Sequence, residues 1–355
     1  MAAPPLSTKP PGMHDVARAA GVSHQTVSRV LNASPSVRPA TRERVLVAIA
    51  QLGYRRNSAA RALVTSRSGT IGLVTLSTNL YGPVSTLISV EEAARAAGLY
   101  ISVASVRGYD QATVSAALNH FMNQGVEGII MIAPVHDAVQ VAAELAAQVP
   151  MVIIASDTVS GPGYQAASVD QEAGARLATR HLLDLGHNSI AHLGGPAGWL
   201  DAEARRRGWQ YELSAAGVGP GKVVLGDWTA ASGFTIGQQL LAAPLPTAVF
   251  CANDLMALGV VRAFVEAGLS IPSDLSVVGF DDIDGVGFAL PPLTTVRQDF
   301  AALGAGCVQL LVAQLDGAEA ASPTIWLPEL IVRASTTVPV QRAVRSDGRL
   351  DDAAM

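Results

Sequence analysis

The sequence predicts two unlike parts: a small all-α head and an α/β body built from two similar lobes. Three observations carry this. Apolar residues at helical spacing run through residues 13–52, whereas from Thr70 onward short apolar runs alternate with longer helical segments. Charge divides at the same place: residues 1–68 hold ten Lys or Arg and two acids, Asp15 and Glu43, although the whole chain of 355 residues has a net charge of −5. The strand–helix alternation also runs twice, the second round beginning after Ser168. With 49% hydrophobic and 15% charged residues, such a body can bury a large core. A basic head on an acidic body suits a nucleic-acid-binding module joined to a domain that does not itself adhere to DNA.

The head centres on Met13–Asn32, MHDVARAAGVSHQTVSRVLN. Val16, Ala17 and Ala20 share one face of a first helix, and Val27, Val30 and Leu31 share one face of a second. Gly21 ends the first helix where a positive φ costs nothing, and Ser23 caps the second. Two short helices joined by a three-residue turn containing glycine make a helix-turn-helix. His24, Gln25, Ser28 and Arg29 are left facing outward, with Asn32 just past them, and such side chains hydrogen-bond base edges in a major groove. Taken alone, the motif also fits the first helical hairpin of any globular domain.

Residues 1–12 read as a disordered arm, with Gly12 as the first N-cap. A third helix is expected over about Ala40–Leu52, with Pro39 at its first position, Val45, Leu46, Ile49 and Leu52 inward, and Gly53 ending it. The segment Tyr54–Thr65 carries Arg55, Arg56 and Arg61 around a helix-capable core, Ser58–Val64. A helix this short does not hold in water alone, so it is expected to order against DNA or a second subunit. Leu63 is then either a wedge between base steps in the minor groove or a linker leucine packed on the body.

The body begins with the strand TIGLVTLS, then a helix about Pro83–Ala97 and the strand YISVASV. A helix about Gln111–Gln124, the strand GIIMIAP, a helix about Ala138–Ala147 and the strand PMVIIAS follow. The second round has helices about Glu172–Leu185, Ala202–Ala216, Ala231–Leu241 and Leu255–Ala267, separated by SIAHLGG, KVVLG and TAVFCAN and followed by LSVVGF. A last helix, Phe300–Leu315, precedes WLPELIVRAST. The alternation implies βαβ units around parallel sheets, hence two Rossmann-like lobes, with strands apolar throughout because helices cover both faces. Ligands of such sheets bind beyond the carboxyl ends of the strands, so two facing lobes would clasp one ligand between them.

Polar residues at those strand ends are the candidates. They are Asn253 and Asp254 after TAVFCA, Asp281 and Asp282 after LSVVGF, Arg205 after the GGPAGW loop, Gln298 and Asp299 after LTTV, and Trp228 in GDWT. Carboxylate, amide and guanidinium groups match sugar hydroxyls, and an indole face packs on a pyranose. On spacing alone, Asn253 and Asp281 serve equally as helix caps.

Catalytic chemistry has little to work with. No GxSxG occurs, and GVGPGKV at 217–223 lacks both the first glycine and the final Ser/Thr of a phosphate-binding loop. His187 and His192 flank a strand at spacing unsuited to zinc, so no metal or cofactor is expected. Cys251 and Cys307 lie in apolar surroundings and read as buried free thiols. The proline-rich start lacks the apolar core of a signal peptide, and no apolar run approaches a membrane span, so a cytoplasmic location is expected with no membrane partner.

DVARAAGVSHQTVSRVLN followed by TRERVLVAIAQLGYRRNSAARAL resembles the head and hinge of the lactose-repressor (LacI/GalR) family of bacterial transcription factors. GDWTAASGF, ANDLMALG, SVVGFDD and PPLTTVRQDF extend the resemblance along nearly the whole chain. It implies a periplasmic-binding-protein-like body and a function as a repressor that a sugar effector, a β-galactoside or another disaccharide, releases from a palindromic double-stranded operator. It places His24, Gln25 and Arg29 at base-reading positions and Leu63 at the hinge leucine, with Asn57 and Ala60 facing the minor groove. Arg205, Trp228, Asn253, Asp281, Gln298 and Phe300 match effector-pocket positions, and Leu80 and Pro83 line the first lobe's side.

Two positions depart from the pattern. His24 replaces a tyrosine, so operator preference need not be the same. Ala155 stands where the family commonly has an aspartate, so either Asp157 substitutes or one sugar hydroxyl goes unread.

The domain expectation is an arm over 1–12, a DNA-binding domain over 13–56, a hinge helix and linker over 57–68, a body over 69–340 and a polar tail over 341–355. Within the body, lobe 1 takes about 69–168 and 298–327, and lobe 2 about 169–297 and 328–340. The tail has no leucine heptads, so a homodimer is expected rather than a tetramer. The competing readings are a family member sensing a purine or a phosphorylated sugar, and a transport-type sugar-binding protein. The second would need a signal peptide and no basic head. The first would favour extra basic residues in the body, which has one lysine, Lys222.

Overall fold

The computed structural model describes residues 11–32, 34–54, 67–108, 110–146, 148–158, 160–318 and 323–340. The hinge positions Asn57, Ala60 and Leu63, the polar tail and all but the end of the N-terminal arm lie outside the described residues. The chain divides into two compact units, Met1–Ser68 and Gly69–Met355.

The first unit has three helices: α1 (Met13–Ala20), α2 (His24–Leu31) and α3 (Pro39–Leu52). Asp15 accepts from the Gly12 amide at 2.9 Å, and Ser23 Oγ accepts from the Thr26 amide at 3.2 Å, so the start of each short helix is capped. Gly21 and Gly53 take φ of 63° and 61° to end α1 and α3. Val16, Ala17, Ala20, Val27, Val30, Val45, Ala48 and Tyr54 form the core. The inner face of α3 differs from the expected one. Val45 is buried and Ile49 packs on the core, but Leu46 is 52% and Leu52 37% exposed, and Ala48 takes the inward place. Two helices of 8 residues span about 12 Å each, too short to cover both ends and flanks of one of 14 residues.

In the second unit, lobe 1 is a parallel sheet ordered β11-β5-β4-β3-β1-β2. Its strands are β1 (Thr70–Leu76), β2 (Tyr100–Val106), β3 (Ile129–Ile132), β4 (Met151–Ile154), β5 (Tyr164–Val169) and β11 (Thr324–Trp326). Helices α4 (Tyr81–Ala96), α5 (Gln111–Gln124), α6 (His136–Leu145) and α11 (Phe300–Leu315) cover it. Alternate residues of β3 serve two separate cores. Ile129 and Met131 pack with α5 and α6, and Ile130 and Ile132 with α4 and α11.

Lobe 2 is a parallel sheet ordered β7-β6-β8-β9. It contains β6 (Ile190–Gly194), β7 (Val223–Leu225), β8 (Ala248–Cys251) and β9 (Ser276–Val278), with helices α7 (Gln171–Asp184), α8 (Leu200–Ala215), α9 (Ala230–Leu241) and α10 (Asp254–Glu266). A two-stranded antiparallel ladder, β10 (Thr295–Arg297) with β12 (Glu329–Ile331), lies at the crossings between the lobes. Cys251 and Cys307 are buried free thiols.

Two expectations need correction. The strand β5 went unread, because YQAASV has too little apolar character to stand out from a loop; it pairs with β4 and β11 inside the sheet. Nor are the strands apolar and covered throughout. At the sheet edge β2 leaves Tyr100 66% and Val103 48% exposed, since an edge strand is sheltered on one side only.

Helices α9 and α10 approach through glycine. A Cβ on Gly259 would stand 2.1 Å from the Ala230 carbonyl oxygen, and one on Gly233 2.2 Å from that of Met256. Gly259→Ala is therefore expected to lower stability by about 1–3 kcal/mol through forced separation, more than the roughly 1 kcal/mol of helix propensity it gains. Gly82→Ala, with open space at the same atom, is the control. Equal thermal midpoints for wild type and Gly259→Ala would refute the tight contact.

Candidate functional site

In the head, α2 presents His24, Gln25, Arg29 and the following Asn32 to solvent, with Ser28 half-buried beside them. The opposite face, Val27 and Val30, is buried, so helical periodicity alone aims these side chains outward. His14 on α1 was not foreseen, and its ring lies 4.6 Å from that of His24. It sits outside the apolar repeat of α1, which left no signal for it.

The body's cleft lies between the lobes, with about 760 Å³ of space not filled by protein atoms, its mouth included. Leu80, Pro83, Arg205, Trp228, Asn253, Asp281, Gln298 and Phe300 all line it. Leu80 caps α4, whose first turn carries Pro83, while Phe300 opens α11 and meets Tyr81 edge-on at 5.8 Å.

Four buried side chains close a ring at one wall. Arg205 Nε donates to Gln171 Oε1 at 2.9 Å, and Gln171 Nε2 donates to Gln298 Oε1 at 2.7 Å. Gln298 Nε2 donates to Asp281 Oδ1 at 2.7 Å, and that oxygen lies 3.6 Å from Arg205 Nη2. Arg205 also donates to the Ala252 carbonyl and stacks over the Phe280 ring at 3.8 Å. Burial is the main force raising the Asp281 pKa, to about 6, and Arg205 and Gln298 oppose it.

Other expected residues have prior commitments. Asn253 caps α10, its Oδ1 accepting from the Met256 amide at 2.9 Å and its Nδ2 donating to the Trp228 carbonyl at 3.0 Å. Cap and cleft wall are thus one residue. Trp228, at φ 74°, is buried, and its Nε1 has no partner among the described residues. Its ring fits only because Gly195 beneath it has no Cβ, which would stand 2.2 Å from the indole. Asp282 points away from Asp281 into Arg297 Nε at 2.8 Å and Arg333 Nη2 at 2.7 Å.

Asp157 is not brought to the cleft. Its carboxylate pairs with Arg207 on α8, which also holds Glu172 at 3.1 Å. The polar contact at that end comes instead from Ser156, whose Oγ donates to Asp201 Oδ1 at 2.6 Å, and both residues line the cleft. Asp201 was not foreseen, although it stands four residues before Arg205 and so on the same helix face. Gln171 and Trp199 had no comparable signal.

The cleft is lined by one cation, Arg205, and two carboxylates, Asp201 and Asp281. Because the guanidinium is already engaged on three sides, the arrangement suits a neutral ligand rich in hydroxyls better than an anion.

Two family models match: "Bacterial regulatory proteins, lacI family" over residues 12–57 and "Periplasmic binding protein-like domain" over residues 179–336. The chain is 37% identical to the lactose operon repressor of Escherichia coli strain K12 over 349 residues, 98% of this chain and 96% of that protein. It is 32% identical to the HTH-type transcriptional repressor PurR of Haemophilus influenzae strain PittEE over 332 residues, 90% of this chain and 97% of that protein. Among solved structures, the lac repressor dimer bound to operator and the anti-inducer ONPF superposes with a TM-score of 0.83 at 35% identity, covering 93% of this chain and 100% of that one. No helix among the described residues is long and apolar enough to cross a membrane.

Beside the cleft, Asp254 is fully buried, accepting from Thr295 Oγ1 at 2.6 Å and from the Ile283 amide at 2.9 Å. Burial first and the Asp281 charge second raise its pKa to about 8. A folded-state pKa above the unfolded one means the native protein holds a proton that the unfolded chain releases, so stability falls as pH rises toward 8. Half-buried His181 and the buried His187 and His192 have lowered values and act mainly below their ordinary value of 6.5, and Asp281, at about 6, also titrates mostly below it, so pH 6.5–8 chiefly reports Asp254. Urea unfolding is expected to show wild type losing stability across that window and Asp254→Asn losing less. A flat wild-type profile would contradict the protonated buried carboxylate.

Proposed function

Because this chain belongs to the lacI family of bacterial regulatory proteins, we propose that it is a sequence-specific DNA-binding repressor whose hold on a palindromic operator is relieved by a neutral sugar. The observation that carries the effector half is the buried ring of Arg205, Gln171, Gln298 and Asp281 beside an unpartnered Trp228 indole N–H. These are donors and acceptors held ready at a cleft wall, with the one lining cation already neutralised.

The outward face of α2 reads base edges, and the basic residues of the first 68 supply phosphate contacts. Two copies acting as a homodimer would present two heads to two half-sites, as the lac repressor dimer does with its operator. Sugar binding favours the closed cleft, and a dimer whose closed form holds the heads less well on the operator loses DNA affinity by the same coupling energy. No catalytic role is proposed. The adjacent carboxylates are each committed, Asp281 to Gln298 and Asp282 to two arginines. Acting on DNA places the protein in the cytoplasm.

A thermal-shift screen over neutral mono- and disaccharides, sugar phosphates and purines tests the reading. A true effector at a hundred times its Kd stabilises by about 2.7 kcal/mol, a shift of several degrees. The expected hit is a neutral sugar that also weakens binding to a palindromic duplex in a mobility-shift assay. Asp281→Asn is expected to weaken that sugar about tenfold or more by removing a charged acceptor. A response to purines or sugar phosphates alone would overturn the neutral-sugar assignment.

A further inference from the structure

We propose that the cleft has an outer subsite, built on Trp199, that takes the second ring of a disaccharide. The inference rests on the neutral-sugar reading above.

Trp199 caps the start of α8 and lines the cleft next to the exposed Ala197 and Gly198. It is half-buried, whereas Trp228 is 6% exposed, and the two indoles meet edge-on at 5.7 Å. The pair therefore runs from the buried interior of the cleft toward its mouth. A tryptophan left partly open beside polar groups offers an apolar ring face that water covers poorly and the C–H face of a pyranose covers well.

The same cleft also holds a polar group close by in sequence. Asp201, two residues on, accepts from Ser156 through Oδ1, and its Oδ2 has no partner among the described residues. Asp201 and Arg205 are one turn apart on α8, about 6 Å along the axis. That rise sets two stations on one helix. Arg205 with the buried ring serves the inner sugar, and Asp201 with Trp199 serves the outer one, a ring's width away.

The outer station also lies on the seam between the lobes. Trp199 forms an antiparallel bridge with Val135 of lobe 1, and the Leu200 amide donates to the Pro134 carbonyl at 2.9 Å. A second ring there contacts both lobes where they meet, so a disaccharide favours closure more than either of its monosaccharides.

Calorimetric titration of the full-length protein with lactose, cellobiose and maltose, against galactose and glucose, decides the matter. In wild type the best disaccharide is expected to bind about tenfold or more tighter than its component monosaccharides. Trp199→Ala is expected to reduce that ratio to near one, and Trp199→Phe, which keeps a flat face, to preserve most of it. Trp199→Leu stands in if the alanine variant does not fold. A ratio unchanged in Trp199→Ala, or no preference in wild type, overturns the outer subsite while leaving a sugar effector in place. Binding of none of these saccharides overturns both.

Discussion

A buried guanidinium in a cleft wall must be matched on every side, and meeting that demand organises the body of this protein. Arg205 is 4% exposed and Asp281 6%, and neither charge is tolerable there without the other. At 3.6 Å their contact is loose, and the two glutamines tighten it by bridging from one charge to the other. The groups come from widely separated parts of the chain: the start of α7, the second turn of α8, the loop after β9 and the crossing after β10. The ring can form only when those pieces are assembled. It is thus both a fastening for lobe 2 and a prepared surface for a ligand.

Backbone conformation also marks the cleft wall, at Trp228 and Asp281. The non-glycine residues with positive φ among those described are Asp157, Trp228, Asp281 and Asp282. Aspartate tolerates the left-handed region at modest cost; tryptophan does not do so readily. Trp228 is held there by its carbonyl's bond from Asn253 and by the space Gly195 leaves for its ring. Such strain persists where surrounding structure over-determines it, and that is where sites are built. At the far end, Arg207 ties Asp157 of lobe 1 to Glu172 of lobe 2, and Ser156 meets Asp201 across the same gap. The Arg207 pairs are partly solvated, the kind of contact that opens and closes at small energetic cost.

Much of this was legible in residue order. The helix starts at Ser23 and Pro39, the stops at Gly21 and Gly53, and the outward placement of His24, Gln25 and Arg29 follow from local chemistry and a period of 3.6. Leu80, Pro83, Arg205, Trp228, Asn253, Asp281, Gln298 and Phe300 were found because parallel sheets put ligands beyond strand ends and because the motifs around them resemble a known family. Local rules failed where the deciding partner was distant. Nothing beside Asp157 in sequence reveals Arg207, fifty residues on, and nothing near Gln171 reveals Gln298. The inner face of α3 failed for a related reason, since how far two short helices reach along a longer one is a matter of packing.

Sequence alone determined most of the elements and their order, the split between a basic head and an acidic body, and the chemical types available to the cleft. Those depend on periodicity, capping and charge, which act between residues a few positions apart. Tertiary structure alone decided which polar groups satisfy one another and which are left for a ligand. Asp281 became a wall of the cleft, Asp282 an anchor for two arginines, Asp157 a tie between lobes and Asp201 a cleft residue. The physical reason is that a carboxylate's role is set by the cation or donor nearest to it in space, and the fold, not the order of residues, chooses that neighbour.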